Sequence, residues 1–147
     1  DKAKEYWLKI SVVKESLTAY QTGGVHAMHD PTEGGVAGGL HEMADASGLG
    51  LRVLEEKIAV APETKKICTH FDIDPLQLIG SGALIIATDP SKAEHIIESL
   101  KKQKIPAEII GEFSEKVAER SLIHQSGETT ELPRPSSDHL WRALSRD

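Results

Sequence analysis

From His26 to Leu40 the chain reads His26-Ala27-Met28-His29-Asp30-Pro31-Thr32-Glu33-Gly34-Gly35-Val36-Ala37-Gly38-Gly39-Leu40. A short apolar-and-histidine run leads into an Asp-Pro turn, and then four glycines fall within six positions. Glycine inside a helix costs about 1 kcal/mol relative to alanine. A sequence that accepts the cost four times needs close approach to the backbone. One use of such approach is anion chemistry. Free N–H groups at a helix start, with the positive end of the helix dipole, favour phosphate. Thr32 can add a hydroxyl donor there. Asp30, just before the turn, is a hard oxygen ligand, and Mg²⁺ typically takes one or two carboxylates together with substrate phosphates. The other use is structural: Asp30 caps the turn, and the glycines let a helix lie tight on a sheet. Spacing alone leaves the two readings balanced. The string is neither the P-loop pattern, with no Gly-Lys-Ser/Thr, nor the dinucleotide fingerprint G-x-G-x-x-G.

Four further groups invite chemistry. His26, His29 and His41 raise a metal reading, but alternation along a strand puts His26 and Asp30 on one face and His29 on the other. A surface pair between His41 and Asp45, four residues on, is favoured over a ligand set, and a metal-dependent hydrolase stands as the weaker alternative. Ser81, between Gly80 and Gly82, reads as an exposed loop residue that can contact phosphate, and it lacks the G-x-S-x-G turn of a serine nucleophile. Cys68 falls on the apolar stripe of a helix and reads as a buried structural cysteine. Trp141 reads as a hydrophobic anchor for the last helix.

The composition narrows the classes. The chain has 147 residues, 39% hydrophobic, with a formal net charge of −6. That is the balance of a single packed domain, with 133–147 as a tail bearing a short terminal helix. The densest basic cluster, Lys101, Lys102 and Lys104, falls at a helix C-terminus where cations are favoured anyway. Nucleic-acid binding, which needs a concentrated basic face, is not expected. No apolar stretch reaches the roughly 18 to 20 residues of a membrane span. The single cysteine excludes an internal disulfide and fits a cytoplasmic location. The opening Asp-Lys-Ala-Lys-Glu has no secretion signal and looks like a cut inside a longer chain.

The elements that must position the glycine turn follow from periodicity. Tyr6, Ile10, Val13, Leu17 and Tyr20 predict an amphipathic helix over 5–21, stopped at Gly23-Gly24. Residues 25–29 predict a strand, and Val36, Leu40 and Met43 a helix over 35–46. Leu49, Leu51 and Val53 alternate as a strand over 49–54, with a short piece at 58–60. Pro62 opens a helix through Phe71. Asp74-Pro75 begins a short turn, and 83–87 is a continuous apolar run that suits a buried central strand. Asp89-Pro90-Ser91 caps a helix over 90–104. Residues 107–113 and 117–124 predict two strands joined by a hairpin turn near Glu115. Gly127 is a further turn, and Ser136-Ser137-Asp138 caps the last helix. The expected fold is an α+β layered sandwich, with a mixed or antiparallel sheet of four to six strands packed by helices.

The string from Val25 to Val36 resembles the glycine loop of the AIR synthase-related superfamily. Its members include aminoimidazole ribonucleotide synthase, selenophosphate synthetase, thiamine-monophosphate kinase and the hydrogenase maturation protein HypE. The resemblance is strongest to the HypE-like branch. It continues in order through Ala44-Asp45-Ala46-Ser47-Gly48-Leu49-Gly50, Glu55-Glu56-Lys57-Ile58, Asp74-Pro75-Leu76 and Ile109-Ile110-Gly111-Glu112, over about residues 10–125. It implies a C-terminal domain that pairs with its own N-terminal domain, with ATP between them and a homodimer as the working state. It assigns Asp30 to Mg²⁺, and Gly34 and Gly35 to phosphate as backbone donors. The chemistry implied is activation of an oxygen by ATP. Maturation-protein partners are implied too, and the domain alone is expected to be inactive. Two departures stand out. HypE ends in Pro-Arg-Ile-Cys, whereas this chain has Leu132-Pro133-Arg134-Pro135 and runs on to Asp147 without cysteine. HypE also carries an Asn-Glu-Gly turn where this chain has Gly80-Ser81-Gly82. These departures leave the substrate open and keep a non-catalytic assembly domain as the rival expectation.

Overall fold

The computed structural model describes residues 2–145. The order is α1 (Lys2–Glu5), a 3-10 turn (Tyr6–Lys9), α2 (Val13–Thr22), β1 (Val25–His29), α3 (Gly35–Ser47) and β2 (Gly50–Leu54). Then come α4 (Pro62–Phe71), β3 (Ile85–Thr88), α5 (Pro90–Lys102), β4 (Gly111–Ser114), β5 (Arg120–Ile123), β6 (Thr129–Glu131) and α6 (His139–Leu144). Short 3-10 turns at Glu55–Lys57 and Pro75–Gln77 complete the chain. The layered α+β expectation holds. The strands form an antiparallel pair, β1 with β3, and a mixed sheet in the order β4-β2-β5-β6.

The local signals act as read. Pro62 sits in the first turn of α4. Asp89 caps α5, its carboxylate accepting from Ser91 N at 2.8 Å. In β2 the alternation holds: Leu51 and Val53 are buried with Ala37, Leu40, Met43 and Ala44 of α3 in the main core. A second, smaller core joins α2 and α5 through Ala19, Ile96 and Leu100.

Several expectations are overturned, among them the short strand piece at 58–60, where no strand forms. The hairpin near Glu115 is absent: β4 pairs antiparallel with β2 on one side, and β5 pairs parallel with β2 on the other. The cause is Glu119, which accepts from Arg52 Nε and from Ser114 Oγ, each at 2.8 Å, while its carbonyl takes Leu51 N–H. The true hairpin is β5 with β6, a strand the sequence reading omits. Residues 83–87 are not a central strand, since β3 pairs only with β1 among the described residues. Its apolar run arises because both faces are covered. Ile85 meets the α3 core and Ile86 the α2–α5 core. The N-terminal helix breaks after Lys9, and its apolar stripe faces outward. Tyr6 and Ile10 are each 41% exposed, Val13 61%, Leu17 53% and Tyr20 73%. Ala19 is the one fully buried residue of α2. Trp141, read as an anchor, is 56% exposed.

Candidate functional site

The glycine turn is built by α3 arriving in a crowded interior. Gly34, in the left-handed conformation at φ 77°, is the residue before the helix, and Gly35 at φ 61° is its first residue. A side chain on Gly35 would run into the backbone carbonyls of Leu76 and Leu78. One on Gly39 would lie 2.7 Å from His29 Cδ2 and 3.1 Å from both Ile85 Cδ1 and Pro31 Cβ. Two of the four glycines therefore serve close packing.

Four of the five sequence-selected residues, Asp30, Thr32, Gly34 and Gly35, belong to the turn itself, and a backbone contact seats the loop of the fifth, Ser81, against it. Gly80 N–H donates to Pro31 O (3.1 Å) and Thr32 O (3.3 Å), which seats the Gly80-Ser81-Gly82 turn against the Asp30–Thr32 segment. Asp30, Thr32 and Ser81 are exposed at this rim, while Gly34 and Gly35 lie buried beneath it. Gly35 N–H is taken up by Thr32 O at 3.1 Å. Gly34 N–H donates to the carboxylate of Asp138, Oδ2 at 2.8 Å, from a residue 104 positions away. Asp138 is 5% exposed. Its other oxygen accepts from Leu140 N at 2.7 Å and caps α6, as the Ser-Ser-Asp signal predicts. That signal is local and says nothing of Gly34, so Asp138 escaped the sequence reading.

Around it the residues after Leu132 form a strap across the turn. Pro135 packs 3.5 Å from the Cβ position of Gly34. Arg134 grips Asp45 through Nη1 (2.9 Å) and Nη2 (3.2 Å), and Arg120 Nη2 joins the same carboxylate at 2.8 Å. These two guanidiniums hold Asp45 at a pKa of about 2. His139 Nδ1 accepts from Asp74 N at 3.0 Å.

The surface His41–Asp45 pair is overturned. His41 is 3% exposed, and its Nε2–H donates to Leu132 O at 3.1 Å. Asp45 pairs instead with the two arginines, Arg134 through both terminal nitrogens and Arg120 through one, because a charged donor makes the stronger hydrogen bond to a carboxylate. The carbonyl partner fixes the neutral tautomer, which leaves Nδ1 buried without a partner. Burial lowers the His41 pKa, and Arg134 and Arg120 lower it further. His29 turns instead to Glu42, at 2.9 Å. Among the described residues no three of His, Cys, Asp and Glu are grouped to hold a metal ion. Cys68 is buried, with its thiol pKa raised by desolvation.

A pH dependence follows. With its folded pKa below the unfolded value of about 6.5, His41 binds protons more readily in the unfolded chain. Stability should therefore fall as pH drops through that value towards the folded pKa. Urea midpoints measured from pH 7.5 to 5 should decline, and His41→Gln should flatten the slope. A slope unchanged in that variant would remove His41 as its source.

A large apolar cavity opens beside this site. An open apolar groove of about 2440 Å³ is lined by Met28, Leu40, Met43, Ile86, Ile97 and Phe113, among others, and meets the glycine-turn rim at Ser81. No helix among the described residues is long and apolar enough to cross a membrane.

The family described as AIR synthase related protein, C-terminal domain, matches residues 4–123. A putative hydrogenase expression/formation protein of Methanocaldococcus jannaschii is 38% identical over 89 residues, 59% of this chain and 27% of the relative. The carbamoyl dehydratase HypE of Escherichia coli is 33% identical over 121 residues, 81% of this chain and 36% of the relative. Among solved structures, Escherichia coli HypE superposes with a TM-score of 0.79 at 29% identity, over 90% of this chain and 42% of that one. HypE in complex with ATP gives 0.72 at 26%, over 84% and 39%. A HypE–HypF complex gives 0.77 at 29%, over 84% and 41%. The chain thus spans well under half the length of these relatives.

Proposed function

The chain belongs to the AIR synthase-related C-terminal domain family, on its HypE-like side, and from that premise we propose that it supplies the glycine-turn half of an Mg-ATP site completed by an N-terminal domain of the same protein. The observation that carries this reading is the buried carboxylate on Gly34 N–H. The start of α3 already holds an anion on a backbone donor, the chemistry a phosphate oxygen would use. Asp30 adds an exposed carboxylate at the rim, free of any partner among the described residues, and a free hard-oxygen ligand supports reading it as the Mg²⁺ contact. Thr32 and Ser81 offer hydroxyls on the same rim. The residues present fit the group.

ATP, when bound, supplies activation of a substrate oxygen by phosphoryl transfer. The work of this chain is to orient the phosphates and to balance their charge. The substrate of this chain stays open in the proposal. The outward stripe of Val13, Leu17 and Tyr20, with Trp7 and Leu8 at 75% and 85% exposed, and the apolar groove fit a chain that meets further protein. The N-terminal domain, a second copy and a maturation protein of the HypF kind are the partners proposed, in the cytoplasm.

In the full-length protein, Asp30→Asn should lower ATP turnover by roughly tenfold or more, the scale of one lost charge contact at a phosphate. Turnover equal to wild type would take Asp30 out of the site. A rival reading, a non-catalytic assembly domain, draws on the same Asp138 contact, since a turn filled by its own carboxylate is closed to a nucleotide. Calorimetry that detects no nucleotide binding by the full-length protein would favour it.

A further inference from the structure

The strap lies beyond the segment that matches the family, which ends at residue 123. It is fastened unevenly. Leu132 is 1% exposed and belongs to the main core. After it, Asp138 is the one buried residue up to position 145. The remaining fastenings are half-buried, as at His139 Nδ1 with Asp74 N–H, or exposed. The Arg134–Asp45 pair has side chains 58% and 47% exposed, and the Arg142–Asp72 pair 52% and 81%. Trp141 and Leu144 are exposed. Exposed ion pairs hold weakly, so residues 133–145 can lift about Pro133 without opening the core. Lifting them removes the Asp138 carboxylate from Gly34 N–H and Pro135 from the face of the turn.

A carboxylate and a phosphate oxygen cannot both accept that N–H, and two anions packed at one helix start repel. We infer that the strap is an internal competitor for the phosphate position: Asp138 closes the glycine turn, and nucleotide binds to the form in which the strap has lifted. This rests on the phosphate reading above. Binding then carries the cost of the strap equilibrium, and apparent affinity scales with the fraction of lifted strap.

The test is calorimetry of the full-length protein with the magnesium complex of AMP-PNP, at one salt concentration, on wild type, Asp138→Asn and Arg134→Ser. Asparagine also caps helices well, so Asp138→Asn keeps α6 while removing the charge that opposes phosphate. It should bind about tenfold more tightly, the scale on which a charge-assisted hydrogen bond exceeds a neutral one. Arg134→Ser, a change at an exposed side chain, should tighten binding a few-fold (about 2–5) by loosening one fastening. It tests the same idea if Asp138→Asn fails to fold. Hydrogen exchange at Gly34 should speed up in both variants without nucleotide. Wild-type binding with unchanged or weaker affinity in both variants would overturn the competitor and leave the phosphate reading standing. Absence of binding in all three proteins would overturn the phosphate reading and the competitor with it.

Discussion

Gly35→Ala is expected to cost about 3 kcal/mol or more of folding stability, from two additive sources. The left-handed conformation at φ 61° costs an L-residue roughly 1–2 kcal/mol. The new methyl would meet Leu76 O 2.6 Å away and the still nearer Leu78 O. Both are backbone atoms, so neither can swing aside as a side-chain end would, and forced overpacking typically costs about 1–3 kcal/mol more. Domains of this size have only about 5–15 kcal/mol in total. Urea denaturation followed by far-UV circular dichroism reads the shift. Gly38→Ala is the matched control. Its methyl would meet Glu33 O at 3.3 Å and Pro135 at 3.9 Å, and alanine gains about 1 kcal/mol of helix propensity there, so little net change is expected. Equal midpoints for Gly35→Ala and wild type would show that the helix start has room and that its glycine is not there for packing.

Leu132→Ala is expected to cost about 3 kcal/mol, within the range for large-to-small changes in a core. Leu132 is 1% exposed and packs with the α3 and β2 residues of the main core. Its carbonyl, the acceptor for His41 Nε2–H, is untouched by the change, so the loss measured is one of packing. The substitution should also loosen the strap at its root, which hydrogen exchange at Gly34 would report as faster opening. Leu144→Ala, at a side chain 66% exposed, should stay within about 0.5 kcal/mol of wild type. A Leu132→Ala protein as stable as wild type would mean that the strap begins after this residue and not at it.

Both predictions turn on the boundary between what is local and what is not. Helix starts at Pro62 and Pro90, the alternation of Leu51 and Val53, and the glycine turn itself were readable because propensity, capping and periodicity act over a few residues. The same periodicity put Tyr6, Ile10, Val13, Leu17 and Tyr20 on one helix, whereas the chain breaks after Lys9 and leaves all five exposed. Period gives a face but does not say what covers it. The apolar run at 83–87 carried the related ambiguity. It reports that both faces of a strand are covered, by α3 on one side and by α2 and α5 on the other, and is silent on how many strands flank it.

At the candidate site the division is sharper. By itself the sequence determined that a glycine turn opens α3 behind an aspartate, and an ordered set of motifs tied that turn to the AIR synthase-related family. Only the tertiary structure decided which glycine does what. Gly35 and Gly39 admit neighbouring atoms, and Gly34 presents its N–H to Asp138 across 104 residues. It also decided that His41 is buried under Leu132 and that Asp45 faces two arginines. The reason is physical. A cap or a turn is chosen by energies within one stretch of backbone, whereas the partner of a buried N–H is chosen by which distant segment the packed core brings to it.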